Sequence, residues 1–193
     1  MNRAERPLRL VLGGMKHCGK STIGKALAEH FQIPFADTDW LLEEHFRRET
    51  GLALSCREIF RREGEEAFRK REAEGIVQLA QESGCRVTAL GGGVPANPWI
   101  PQGTLRKLGY FIWLATDVQT AFDRVAAGGL PPFLAQAEDP RAAFEAMYRE
   151  RSAFYRACAD LTVPLGNDTP EISFQKVLDA LQSDLSYATL PEN

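Results

Sequence analysis

From Gly14 to Thr22 the chain reads Gly-Met-Lys-His-Cys-Gly-Lys-Ser-Thr. A glycine, four residues and then Gly-Lys-Ser is the spacing of a loop wrapped around phosphate groups. Gly14 and Gly19 let the backbone curl closely around an anion, and the first N–H groups of the following helix point at it. Lys20 adds a point charge and Ser21 offers a hydroxyl to Mg²⁺. Lys16, Cys18 and Thr22 complete the lining of a nucleotide site. Further on, Asp37 and Asp39 stand two residues apart. In extended backbone that spacing turns both carboxylates to one side, one for a metal and the other for an acceptor hydroxyl. The same pair also reads as a turn with a helix N-cap. Phe68-Arg69-Lys70-Arg71-Glu72 reads alone as a solvated helix face. Gly91-Gly92-Gly93 at a strand end admits either a tight turn or the close approach of a ligand.

These residues need a scaffold that brings distant segments to one edge. An apolar run over residues 8–13 predicts a strand, and Ile23, Ala26, Leu27, His30 and Phe31 recur at helical spacing behind the glycine loop. Short apolar runs over 34–36, 86–90, 110–115 and 161–165 supply four further strands. Between residues 43 and 74, charge of both signs alternates with Leu and Phe, the pattern of two or three amphipathic helices. Apolar residues at helical spacing predict helices around Val118–Val125, Phe144–Tyr155 and Val177–Leu185, while 128–140 reads as a flexible loop and 187–193 as a loose tail. Strands alternating with helices imply an α/β protein, a single domain with a doubly wound five-stranded parallel sheet. Ligands are then expected beyond the carboxyl ends of the strands.

The composition narrows the class of partner. The 193 residues carry 23 Lys and Arg against 26 Asp and Glu, a net charge of −3 that argues against a nucleic-acid binder or a polybasic membrane anchor. No apolar run approaches the roughly 20 residues of a membrane span, and a cytoplasmic monomer acting on small molecules is the expectation. Cys18, Cys56, Cys85 and Cys158 form no C-x-x-C pair and are expected to be free thiols. The histidines form no metal-binding pattern.

Taken together, Gly14–Thr22, Asp37-Thr38-Asp39, Phe68-Arg69 to Glu72 and Gly91–Gly93 resemble, in order and spacing, the shikimate kinase family, over about residues 8–165. The resemblance implies a phosphate-loop fold like that of the nucleoside monophosphate kinases. It also implies ATP as co-substrate, Mg²⁺ as cofactor, and transfer of phosphate to the 3-hydroxyl of shikimate. By it Lys20 and Asp37 are catalytic, Ser21 and Asp37 serve the metal, and Asp39, Arg69, the glycines 91–93 and Arg151 hold shikimate. Arg124 covers the nucleotide base by the same resemblance, or is a surface arginine on its own terms. Phe60 and Phe68 read either as walls for the substrate ring or as core. The resemblance further implies a mobile lid at 128–140 bearing an arginine, where this chain has Pro131 instead. Lys16, within the loop, is the nearest replacement cation by sequence. A kinase for another small polyol or hydroxy acid, or a nucleotide-binding protein without transferase activity, is the alternative.

Overall fold

The computed structural model describes residues 7–184. Five strands, β1 (Arg9–Gly13), β2 (Phe35–Asp37), β3 (Arg86–Ala89), β4 (Tyr110–Ala115) and β5 (Leu161–Pro164), form one sheet in the order β2-β3-β1-β4-β5. Every neighbouring pair is parallel, with Leu10 level with Val87 on one side and Tyr110 on the other. A parallel strand buried on both faces has no polar side, and β1 and β4 are accordingly near-continuous apolar runs.

Alternation along the strands separates two cores. Leu10, Leu12, Ile112 and Leu114 face α1 (Lys20–His30) and α9 (Pro170–Ser183) through Ile23, Leu27, Val177 and Leu181. Val11, Phe111 and Trp113 face the opposite way, toward Ile76, Leu108, Val125, Phe144 and Tyr155. Those residues come from α4 (Glu65–Gln81), α5 (Thr104–Leu108), α6 (Val118–Ala127) and α8 (Pro140–Cys158). A smaller cluster of Leu42, Phe46, Ile59 and Phe68 ties together α2 (Thr38–Thr50), α3 (Cys56–Glu63) and α4. The charged stretch 43–74 thus spans most of two helices, all of a third and the turns between them. Within it Ser55 and Glu58 form a reciprocal capping box that starts α3.

The segment 128–140 is not a loop throughout. After Gly128 and Gly129 it folds into the short helix α7 (Pro132–Ala135), because Leu134 is fully buried against the α8 side of the core and pins that turn. Leu134 is therefore already packed, while Phe133 is 50% exposed. Weak periodicity hid α5 and a single 3-10 turn at Val94–Ala96 from the sequence. The expected tail at 187–193 lies outside the described residues, as does Leu185. All four cysteines are free thiols.

β1 sends its connection toward β2 while its neighbour β4 sends its own toward β5, so a crevice opens at the carboxyl end of β1. At the opposite, amino end of the sheet β1 and β4 must also stay close, and Gly109, just before β4, permits it. Its φ is +146°, and a Cβ on it would stand 2.3 Å from the Arg9 carbonyl oxygen. Gly109→Ala is therefore expected to lower stability by about 2–4 kcal/mol. Gly51→Ala meets nothing within 4 Å at φ +74° and should cost only the backbone strain, about 1 kcal/mol. Urea midpoints of the two variants test this, and equal losses would refute the steric argument.

Candidate active site

The loop 14–19 leaves β1 and enters α1 at Gly19, whose φ of +96° ends the curl. Lys20 is buried and folds back over the loop, its Nζ donating to the carbonyls of Gly14 at 3.0 Å and Met15 at 2.9 Å. A cation so placed, beside the unpaired N–H groups at a helix start, makes a concentrated anion site. Cys18 packs its thiol inside the loop, 3.9 Å from Lys20 Nζ. Lys16 is exposed and His17 takes the left-handed conformation at φ 63°.

Across from the loop, Asp37 and Asp39 do not lie on one extended strand. Asp37 ends β2 and caps α2, its carboxylate accepting from the Asp39 N–H at 3.0 Å, and Asp39 is already helical. The functional and the capping readings of the pair therefore coexist, since a cap engages only part of a carboxylate. The other Asp37 oxygen accepts from the Ser21 hydroxyl at 2.5 Å, joining the phosphate loop to β2. Thr38, between the two aspartates, accepts the Gly91 N–H at 2.8 Å and so attaches the glycine turn.

None of Gly91, Gly92 and Gly93 has a positive φ, so these glycines serve space rather than an unusual turn. A Cβ on Gly91 would lie 2.5 Å from Asp39 Oδ1, and one on Gly93 would lie 2.4 Å from Arg69 Nη1. At Gly92 the nearest groups are the Lys16 N–H at 3.4 Å, the Gly14 carbonyl at 3.6 Å and Arg151 Nη1 at 3.9 Å. Arg69 donates to Glu72 at 2.8 Å, and Asn97 donates to the same carboxylate at 2.9 Å, which fixes the guanidinium. Arg151 pairs with no carboxylate among the described residues. Burial weighs against its charge, and nearby Arg69 adds to that effect.

These groups share one cavity of about 200 Å³, lined by Lys16, Lys20, Asp39, Arg69, Gly92, Gly93 and Arg151. Phe60 and Phe68 line it too, while Phe68 also belongs to the small cluster beneath, so both readings of those rings hold. Arg124 lies elsewhere: it donates to the Gly166 carbonyl at 2.6 Å, beyond β5. The cavity also takes in Cys56, Arg57, Glu72, Pro131 and Phe133, which the sequence did not single out as site residues. For Glu72 the signal was its place three residues after Arg69. Larger hollows elsewhere on the surface, such as one between α2 and α4, bring together no phosphate loop or glycine turn.

An anion cradle at a helix start, a hydroxyl and carboxylate poised for a hard cation, and an acceptor cavity beside both define a phosphate-loop phosphotransferase. A family model described as shikimate kinase matches residues 16–182. A shikimate kinase of Thioalkalivibrio sulfidiphilus is 38% identical over 172 residues, covering 89% of this chain and 84% of that relative. One of Aromatoleum aromaticum is 34% identical over 174 residues, 90% of this chain and 94% of the relative. Among solved structures, shikimate kinase from Acinetobacter baumannii in complex with shikimate superposes with a TM-score of 0.76 at 28% identity, covering 93% and 94% of the two chains. The chain belongs to the shikimate kinase family.

Burial, reinforced by the charge of Asp37, raises the Asp39 carboxyl from its ordinary 3.8 to about 6, against the opposing pull of Lys20. An ionised Asp39 accepts hydroxyl hydrogen bonds at both oxygens, whereas a protonated one loses that capacity in part. The acceptor kcat/KM should therefore fall as pH drops through about 6. The sign for stability is opposite. The unfolded chain releases this proton at lower pH, so ionising Asp39 in the fold costs stability as pH rises from about 4 to about 6. Asp39→Asn should remove that slope and abolish most activity, and denaturation measured across this pH range checks it.

Proposed function

We propose that this chain transfers the γ-phosphoryl group of ATP to the 3-hydroxyl of shikimate, giving shikimate 3-phosphate and ADP. The observation that carries this reading is the single cavity in which Lys20 of the phosphate loop meets Asp39, Arg69 and Arg151. A carboxylate flanked by hydroxyls is the ligand such a set suits: guanidinium groups for the acid, a carboxylate acceptor for the hydroxyls.

The N–H groups of Gly19–Thr22 and the Lys20 ammonium hold the phosphates, with Gly14, Lys16 and Cys18 shaping the loop around them. Arg124, beyond β5, covers the base. Ser21 and Asp37 are oxygen donors in contact, which fits Mg²⁺, and the bound ion supplies neutralisation of phosphate charge. Arg69 and Arg151 take the shikimate carboxylate, Asp39 its hydroxyls, and the turn 91–93 lets the ring approach. The acceptor oxygen attacks the γ-phosphorus as the bond to the ADP oxygen breaks, and Asp37 takes the hydroxyl proton. The segment 128–140 closes over both ligands within a single domain. The enzyme works as a cytoplasmic monomer on small molecules, without nucleic acid or membrane. Among the described residues no helix is long and apolar enough to cross a bilayer.

ADP release measured with and without shikimate tests the activity; no stimulation by shikimate would refute it. In calorimetric titrations, Arg69→Ala should weaken shikimate binding by about 1.5–3 kcal/mol and leave ATP affinity nearly unchanged. Hydrogen exchange over 128–139 should slow only when nucleotide and acceptor are both present. Equal exchange in all states would remove the lid.

A further inference from the structure

Phosphoryl transfer develops negative charge on oxygens between the nucleotide and the acceptor, and a fixed cation there is the largest single aid a protein can give. Residues 128–139, which border the cavity, contain no Lys or Arg. Of the cations that do line it, Lys20 is held by carbonyls of the phosphate loop, and Arg69 by Glu72. Arg151 approaches the turn at Gly92 on the acceptor side. Lys16 sits on the loop itself, on the nucleotide side.

Arg57 differs from these in reaching the segment at Gly129 as well as the cavity wall. It stands near the start of α3, lines the cavity, and pairs with no carboxylate among the described residues. Its Nη2 donates to the Gly129 carbonyl at 3.0 Å, which uses one of five guanidinium donors. Next to Gly129, a Cβ on Gly128 would stand 2.5 Å from the His17 ring, so the glycine pair, the phosphate loop and α3 meet at one point. The electrostatics agree with the geometry. Burial, then the charges of Lys16, Lys20 and Arg57, hold the His17 imidazole below its ordinary range, so Arg57 acts at the phosphate loop as well as at the cavity wall.

We infer that Arg57 is the cation that stabilises the transferring phosphoryl group in this enzyme, carried by α3 and set in place by its hydrogen bond to the lid hinge at Gly129. In the reaction it makes and breaks no covalent bond. Its spare N–H donors face the γ-phosphoryl oxygens as charge builds on them, and the Gly129 bond joins that position to the closed lid.

This inference rests on the shikimate kinase reading, and steady-state kinetics separate the two. With wild-type protein, shikimate-independent ADP release would sink the reading and the inference together. Given shikimate-dependent turnover, Arg57→Ala should lower kcat about 100-fold with both KM values within about threefold, because the contact forms only in the transition state. Millimolar guanidinium ion should restore part of the lost kcat in Arg57→Ala and none in wild type, and Arg57→Lys should fall between. A purely structural latch at Gly129 would not respond to free guanidinium. Near-normal kcat in Arg57→Ala, or a loss accompanied by raised KM and no guanidinium rescue, overturns the inference.

Discussion

The whole site depends on how closely the turn 91–93 can lie against its neighbours. Four separate segments lie against three successive residues: Asp39 of α2 at Gly91, the phosphate loop and Arg151 of α8 at Gly92, and Arg69 of α4 at Gly93. Any Cβ at Gly91 or Gly93 would displace a charged group by more than a van der Waals radius allows. The Tyr155 hydroxyl secures the turn from below. It lies 2.8 Å from the Gly14 carbonyl and 2.6 Å from the Gly92 carbonyl and gives its one proton to either. Tyr155 is fully buried and stacks on Trp113, so the distance between the phosphate loop and the glycine turn is set by a rigid aromatic pair.

Closeness of this kind concentrates charge. Lys16, Lys20, Arg57, Arg69 and Arg151 share a space of about 200 Å³ with Asp39 and Glu72. Arg69 and Arg151 face one another's fields, and burial pushes the Arg151 guanidinium down and the Asp39 carboxyl up. Holding these charges together therefore carries an electrostatic cost that the rest of the fold bears. In the proposed reaction, phosphates and an acceptor carboxylate would offset that cost. The same charges that oppose folding thus become binding energy, and the cluster of Leu42, Phe46, Ile59 and Phe68 beneath the cavity helps to bear their cost.

What was legible in the sequence was local. The phosphate loop declares itself because its nine residues act together, and β4 was read at Tyr110–Ala115 because a parallel strand buried on both faces has no other composition. For Asp37 and Asp39 the capping reading holds and the extended one does not. A three-residue strand ends at Asp37, and the cap it forms starts a helix at once. The turn in 128–140 was hidden because its helix rests on one buried residue, Leu134, and on no periodicity. Arg57 was invisible for a stronger reason. It lies among Arg61, Arg62 and alternating glutamates in a sequence that reads as a solvated face, and only the return of the chain at Gly129, 72 residues later, brings the cavity to it.

If the segment 128–140 closes as proposed, it must do so without cations and by other forces. Pro131 and Phe133 of that segment line the cavity together with Phe60 and Phe68. Phe133 is half exposed, and fully burying such a ring is worth about 1.5–3 kcal/mol, so the exposed half can supply roughly 1 kcal/mol toward closure. That shifts an open-closed equilibrium about fivefold, too little to shut the lid alone but enough to reinforce ligands that already bridge its two sides. Apolar closure is also insensitive to screening, unlike an ion pair formed across the gap. With Leu134 already buried and Gly128 and Gly129 at the start of the segment, Phe133 is the ring left with apolar surface to bury. On the proposed reading the labour divides: α3 and the phosphate loop hold the charge in place, and the segment 128–140 excludes water from it.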